Sequence, residues 1–141
     1  MFLALFLSLV LTTFVFVVVG PIVGFFALSF AVPSLLENIP QNLFFAYVGG
    51  AMPALLAGIV NWSLLLALHP QVGRLRLNLL SALASSVVAS FIFGWRIIFE
   101  DPTSFLIFFL LCSIASVSCV FLTNKAARNI LEDLGGSRFT P

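Results

Sequence analysis

Four stretches of this chain contain no Asp, Glu, Lys or Arg, and each is about as long as a helix that crosses a lipid bilayer, or longer. Such a helix needs about 20 largely apolar residues, because each residue advances it by about 1.5 Å through a hydrocarbon core of about 30 Å. The sequence therefore predicts an all-α, polytopic integral membrane protein with four transmembrane helices in an antiparallel bundle. The predicted spans cover approximately residues 2–32, 43–68, 77–99 and 103–123.

The composition favours the same class of protein. Of 141 residues, 62% are hydrophobic and 8% are charged, whereas a soluble domain has about 25% charged residues. We expect one transmembrane domain, residues 1–124, and a short cytoplasmic tail, residues 125–141, whose first part extends the last helix. The opening apolar run lacks a basic start and is longer than the core of a signal peptide, so we expect it to be retained.

Two prolines fall inside the predicted spans. Pro21 lies in the first span, which is longer than the hydrocarbon core requires, so this span is either kinked at Gly20 and Pro21 or straight and tilted. Pro53 deprives the Gly49 carbonyl of its helical donor. In a membrane this loss is tolerated where a neighbouring helix, a hydroxyl or a water supplies the hydrogen bond. The prolines and asparagines of residues 33–42 predict a loop, with at most one helical turn, between the first two spans.

Small residues recur every fourth position in the second and third spans, a pattern that lets helix backbones approach closely in lipid. We predict that these two spans pack against each other through the two stripes, with the Ser86 or Ser90 hydroxyl bonding to the Gly49 carbonyl. The second-span stripe is Ala46, Gly50, Ala54 and Gly58. The third-span stripe is Ala82, Ser86, Ser90 and Gly94.

Charge predicts the orientation. Five of the six basic residues fall on the side of the predicted topology that holds both termini: Arg74, Arg76, Lys125, Arg128 and Arg138. Because basic residues concentrate in cytoplasmic loops, we expect the N- and C-termini to lie inside. The general character of the chain resembles that of small bacterial inner-membrane proteins, which implies the bacterial cytoplasmic membrane.

Little in the sequence points to chemistry. The deep parts of the four spans contain no ionisable acid or base. Arg96 lies near the outer end of the third span, where it can pair with Glu100 one turn later; the alternative is that these two residues contact a solute or a partner protein. Asn61 and Asn78 are expected to form hydrogen bonds between helices. Asp101 before Pro102 predicts a helix N-cap.

These observations favour a protein that is not an enzyme and that holds no cofactor or metal. Cys112 and Cys119 stand seven residues apart on one predicted helix, too far for a disulfide, and are expected to be packing residues. Without a strong basic cluster, nucleic acid is not an expected partner.

The leading functional hypothesis is a non-catalytic protein that contacts other membrane proteins, as an accessory or stabilising subunit of a larger membrane complex. The alternative is a small oligomeric transporter or channel whose path is lined by the third-span serines. The tail from Lys125 to Leu134 has an apolar strip at helical spacing, which we expect to meet the membrane surface or another protein.

Overall fold

The computed structural model describes residues 2–68 and 73–135, except for the side chains of residues 31, 93–100 and 132–135. The described chain is almost entirely helical, and its four long helices are long and apolar enough to cross a membrane by length and composition. The expectation of an all-α chain with four such helices is confirmed. They are α1 (Phe2–Ala31), α2 (Ile39–Leu68), α3 (Arg74–Glu100) and α4 (Pro102–Gly135).

The segment predicted as a loop with at most one helical turn, residues 33–42, is helical throughout. A 3-10 helix covers Pro33–Asn38, and α2 follows directly from Ile39. Pro33 and Pro40 both stand in the first turn of a helical segment, where the missing N–H has no intrahelical partner to lose. The Asn42 side chain also ties the two segments together, donating from Nδ2 to the Leu35 carbonyl at 2.8 Å.

Both internal prolines are accommodated within continuous helices. Pro21 lies inside α1 and Pro53 inside α2, and both are buried. The Tyr47 hydroxyl of α2 donates to the Val18 carbonyl of α1 at 2.7 Å, close to the turn that Pro21 interrupts. The carbonyl that Pro21 deprives of its helical donor is that of Val17. The Tyr47 bond is made one residue further along, and it joins α2 to α1 beside the proline.

Each helix packs on two neighbours. Helix α1 lies against α2 and α4, and α3 lies against the same two helices on the other side. Sequential helices run antiparallel: the start of α1 meets the end of α2, where the Trp62 Nε1 donates to the Ser8 hydroxyl at 3.0 Å. Further along, Gly20 of α1 faces Ala54 of α2.

Residues from all four helices meet at the end of the molecule that holds the start of α1. The core cluster there consists of Ala4, Leu65, Leu77, Ala127 and Leu131. Helix α4 runs without a break to Gly135, so the tail residues 125–135 continue it. The apolar strip of the tail was expected to face the membrane surface or a partner, and this is wrong for Ala127 and Leu131, which are buried against the other helices.

The small-residue stripe of α2 packs on α1, and not on α3 as predicted. A Cβ added at Gly58 would lie 3.1 Å from the Thr13 Cα, and one added at Gly50 would lie 3.4 Å from the Pro21 Cγ. A four-residue period defines which face of a helix is small, but several helices can fill that face. Helix α3 meets α2 through a neighbouring strip, where the Ser85 hydroxyl donates to the Ala57 carbonyl at 3.0 Å.

Candidate functional site

A chain of buried polar side chains links α2, α3 and α4. The Ser81 hydroxyl donates to Asn61 Oδ1, Asn61 Nδ2 donates to Asn124 Oδ1 at 3.0 Å, and Asn124 Nδ2 donates to Asn78 Oδ1 at 2.9 Å. We call these four residues the amide chain, and the end of the molecule that contains them the amide end.

The amide chain is directional, because each member donates to the next from Ser81 to Asn78. Three of its members are fully buried, and Asn78 is 8% exposed. Hydrogen bonds in series polarise one another, so the chain strengthens the donor at its far end. The prediction that Asn61 and Asn78 bond between helices is confirmed. Sequence analysis missed Asn124, the residue that joins them, because it lies just past the predicted fourth span.

The serines of α3 face inward, as the described stripe residues Ala82, Ser86 and Ser90 are all buried. Neither Ser86 nor Ser90 bonds to the Gly49 carbonyl as predicted. The Ser86 hydroxyl donates to the Leu83 carbonyl of its own helix at 2.9 Å. The Ser90 hydroxyl is buried with no hydrogen-bond partner among the described residues. The side-chain position of Gly94, the last member of this stripe, lies outside the described residues.

A cavity of about 480 Å³ lies between α1, α2 and α4, and Ala89 of α3 and Leu35 of the 3-10 helix also contribute to its wall. We call it the glycine-proline cavity. The glycines and prolines that line it include Gly20, Pro21, Gly49, Gly50 and Pro53. The α2 stripe residues Ala46 and Ala54 line it as well, so this stripe serves both the contact with α1 and the wall of the cavity.

No charged side chain lines the glycine-proline cavity among the described residues. Its polar side chains are Asn42 and Ser116, with Cys112 and Cys119 as thiols. Both cysteines are free. Within the described ranges, no group of three or more His, Cys, Asp or Glu residues could hold a metal ion. An uncharged cavity of this kind suits an apolar occupant, because a charge placed in it would lose its hydration without gaining a partner.

No protein-family model, curated protein or solved structure matches this chain.

The first turn of α4 is capped as the sequence predicts. Asp101 accepts from the Ser104 hydroxyl at 2.5 Å and from the Thr103 backbone N–H at 3.0 Å, and α4 begins at the next residue, Pro102. These bonds hold the pKa of the Asp101 carboxyl below its ordinary value of 3.8, and the bond from Ser104 has the larger effect. These bonds account for Asp101 as a structural residue.

The predicted contact residues Arg96 and Glu100 belong to α3, but their side chains lie outside the described residues. Their pairing and their contact with a solute or partner stay predictions. The loop of residues 69–72 and the last tail residues, 136–141, with Arg138 among them, also lie outside the described part.

Proposed function

We propose that this protein is a non-catalytic integral membrane protein that acts by contact, as an accessory or stabilising subunit of a larger membrane complex. The observation that supports this most is the glycine-proline cavity. In this proposal its occupant is an apolar transmembrane helix of the partner protein, which inserts side chains between α1, α2 and α4.

The chemistry of the cavity favours a helix over a polar solute. Gly49 is exposed at its rim, and a Cβ added there meets no atom within 4 Å. A partner backbone can approach such a surface closely, and van der Waals packing of this kind drives helix association in lipid. An ion or polar metabolite would find no charged group on the described walls.

The hydroxyls of α3 also support a contact protein over the oligomeric transporter. Ser81 and Ser85 each donate to α2, and Ser86 donates within its own helix. A serine-lined path needs hydroxyls that can exchange partners with a passing solute, whereas Ser81 and Ser85 hold α3 to α2 and Ser86 is bonded within α3.

The proposed topology has both termini in the cytoplasm of a bacterium and four spans across its inner membrane. Four of the basic residues, Arg74, Arg76, Lys125 and Arg128, stand at or near the α3 start and the α4 end, the region that packs beside the start of α1. The positive-inside bias supports placing this end in the cytoplasm.

The test is purification of the full chain from its native membranes in mild detergent, with mass determination and quantification of co-purifying proteins. Gly49→Leu fills the rim of the cavity, and Ala67→Leu is the matched control, because Ala67 is an exposed residue of the same helix away from the cavity. We expect a stoichiometric membrane protein with the wild type and with Ala67→Leu, reduced several-fold with Gly49→Leu.

If the partner were recovered equally with Gly49→Leu and Ala67→Leu, the partner would not bind at the glycine-proline cavity. The opposite result would be a pure homo-oligomer that transports a solute into liposomes and loses this flux when Ser86, Ser90 or Arg96 is changed. That result would overturn the accessory role and favour the oligomeric transporter.

A further inference from the structure

A second cavity, of about 260 Å³, lies between the start of α3 and the second half of α4. We call it the basic pocket. Its lining residues are Arg74, Asn78, Phe121, Lys125, Arg128 and Asn129. Three of these six carry positive charge, two are amides, and no acidic side chain is among the described lining residues. The pocket therefore has the composition of an anion site.

One buried residue of the pocket wall, Asn78, is the last member of the amide chain. Asn78 is 8% exposed, and its carboxamide oxygen accepts from Asn124. Its NH2 group, with no acceptor among the described residues, is left as a donor for the pocket. This NH2 group stands at the far end of the directional amide chain, where bonds in series strengthen it as a donor. Arg128 is held beside it, since its Nε donates to the Asn124 carbonyl at 3.1 Å.

The start of α3 adds further positive potential. The Leu77 N–H bonds to the Gly73 carbonyl at 2.9 Å, which makes Gly73 the cap residue and Arg74 the first residue of the helix. The N–H groups of a first helical turn have no intrahelical acceptor, and the helix dipole places partial positive charge there. A helix start of this kind favours an anion, and here it coincides with the arginine and the buried amide.

The order of residues along α4 indicates which anion. Phe121, Lys125 and Asn129 are four residues apart, so they form one exposed stripe along the helix. From the middle of the helix toward its end, this stripe is first apolar, then cationic, then uncharged and polar. A phospholipid presents its acyl chains, phosphate and headgroup in that same order from the bilayer centre outward.

We propose that the basic pocket binds the phosphate group of an anionic phospholipid, with Arg74 and Lys125 as the direct cationic contacts. Arg128 and Asn78 form the buried wall, and Phe121 contacts the acyl region. Basic pockets between transmembrane helices on the cytoplasmic side are suited to this chemistry, and this end carries the excess of basic residues. The proposal needs membrane insertion, but it does not need the partner protein of the proposed function.

The experiment measures the melting temperature of the full chain in neutral detergent against added lipid. The lipids are phosphatidylglycerol, which carries a net negative charge, and phosphatidylcholine, which does not; inorganic phosphate is titrated separately at constant ionic strength. Native mass spectrometry counts the lipids that stay bound. We expect phosphatidylglycerol to raise the melting temperature more than phosphatidylcholine does, with one lipid retained per chain.

Arg74→Gln and Lys125→Gln remove one charge each from exposed positions, so folding should survive both changes. Each should weaken phosphatidylglycerol binding about fivefold, and the double variant about 25-fold, as expected for a basic residue near an anionic headgroup. Arg76→Gln is the matched control: it removes the same charge from an exposed residue of the same helix turn that does not line the pocket.

The proposal is overturned if the double variant binds phosphatidylglycerol as well as Arg76→Gln does, or if the two lipids stabilise equally. Stabilisation by inorganic phosphate alone, lost in the double variant, would retain the pocket as a phosphate site but overturn the lipid as its source. None of these outcomes depends on whether a partner protein co-purifies.

Discussion

At the amide end, buried hydrogen bonds join three helices, whereas around the glycine-proline cavity the helices are held mainly by shape. Asn61, Asn78, Ser81 and Asn124 bond to one another across α2, α3 and α4. Around the cavity, Gly20 faces Ala54 and Gly50 faces Pro21 at van der Waals distance. Two described side-chain bonds join long helices around the cavity: the Tyr47 hydroxyl donates to the Val18 carbonyl, and the Ser85 hydroxyl donates to the carbonyl of Ala57, which lines the cavity.

This chain therefore holds its helices together in two ways, by buried hydrogen bonds at the amide end and by close packing around the cavity. Lipid supplies no hydrophobic drive between helices, so association must come from polar bonds or from close packing. Polar bonds specify their partners, and they leave little room for rearrangement because an unpaired amide in the interior is costly. Close packing of small residues is less specific, which suits a surface that also forms an open cavity. We therefore expect the amide end to be the rigid part and the cavity to be the adaptable part.

The largest loss of stability is expected when the central residue of the amide chain is replaced. Asn124→Leu eliminates the bonds to Asn61 and Asn78 and leaves both amides without that partner. Because unpaired buried polar groups cost about 1–3 kcal/mol each, we expect a loss of about 2–4 kcal/mol in the free energy of unfolding. The measurement is denaturant titration in mixed micelles, without added phospholipid.

Asn129→Leu is the control for this change, because Asn129 is exposed on the same helix and makes no described bond to another helix. We expect its effect to stay within about 0.5 kcal/mol, as for most surface substitutions. Equal losses in the two variants would mean that the amide chain contributes no more than an exposed amide.

A second test compares two glycines of α2 under the same substitution. A Cβ at Gly58 would lie 3.1 Å from the Thr13 Cα and 3.3 Å from the Phe16 Cβ, whereas one at Gly49 meets nothing within 4 Å. We expect Gly58→Ala to destabilise the protein by about 1–2 kcal/mol through overpacking. Gly49→Ala should be neutral or stabilising by up to about 1 kcal/mol, because alanine has the higher helix propensity.

The same denaturant titration measures both glycine variants. A loss at Gly49 as large as that at Gly58 would show that the cavity wall is as closely packed as the contact between α1 and α2, and the distinction between the two regions would fail.

The smallest expected effect concerns pH. The bonds from Ser104 and Thr103 lower the pKa of Asp101, so the ionised carboxylate stabilises the start of α4. A carboxyl with a lowered folded-state pKa contributes stability above its ordinary pKa of 3.8, and this contribution is lost as pH falls below 3.8 through the folded value. The amide chain does not ionise between pH 3 and pH 6, so its contribution to stability should be the same at both pH values.

The measurement is the melting temperature of wild type and Asp101→Asn in detergent at pH 6 and pH 3. Asparagine also caps helices but does not titrate here, so the variant should be slightly less stable than wild type at pH 6 and close to it at pH 3. If the difference in melting temperature between wild type and Asp101→Asn were larger at pH 3 than at pH 6, the ionised carboxylate would not be the stabilising form.

Several features of the fold follow from local sequence. Long runs without charge predict four apolar helices, because the length and hydrophobicity of each helix depend on its own residues. Asp101 before Pro102 predicts the start of α4 in the same way. The prediction gave too little helix at residues 33–42, because Pro33 and Pro40 both stand in first helical turns, where proline does not end a helix.

The helices, their small and polar faces, and the scarcity of ionisable groups within them could all be predicted from local sequence. Three features required the packed structure: the α2 stripe meets α1, Asn124 joins Asn61 to Asn78, and Arg74 and Lys125 line one pocket. Periodicity along one helix defines a face but not the helix that covers it. The pairing of faces depends on how residues far apart in the chain fit together, and no local pattern records that fit.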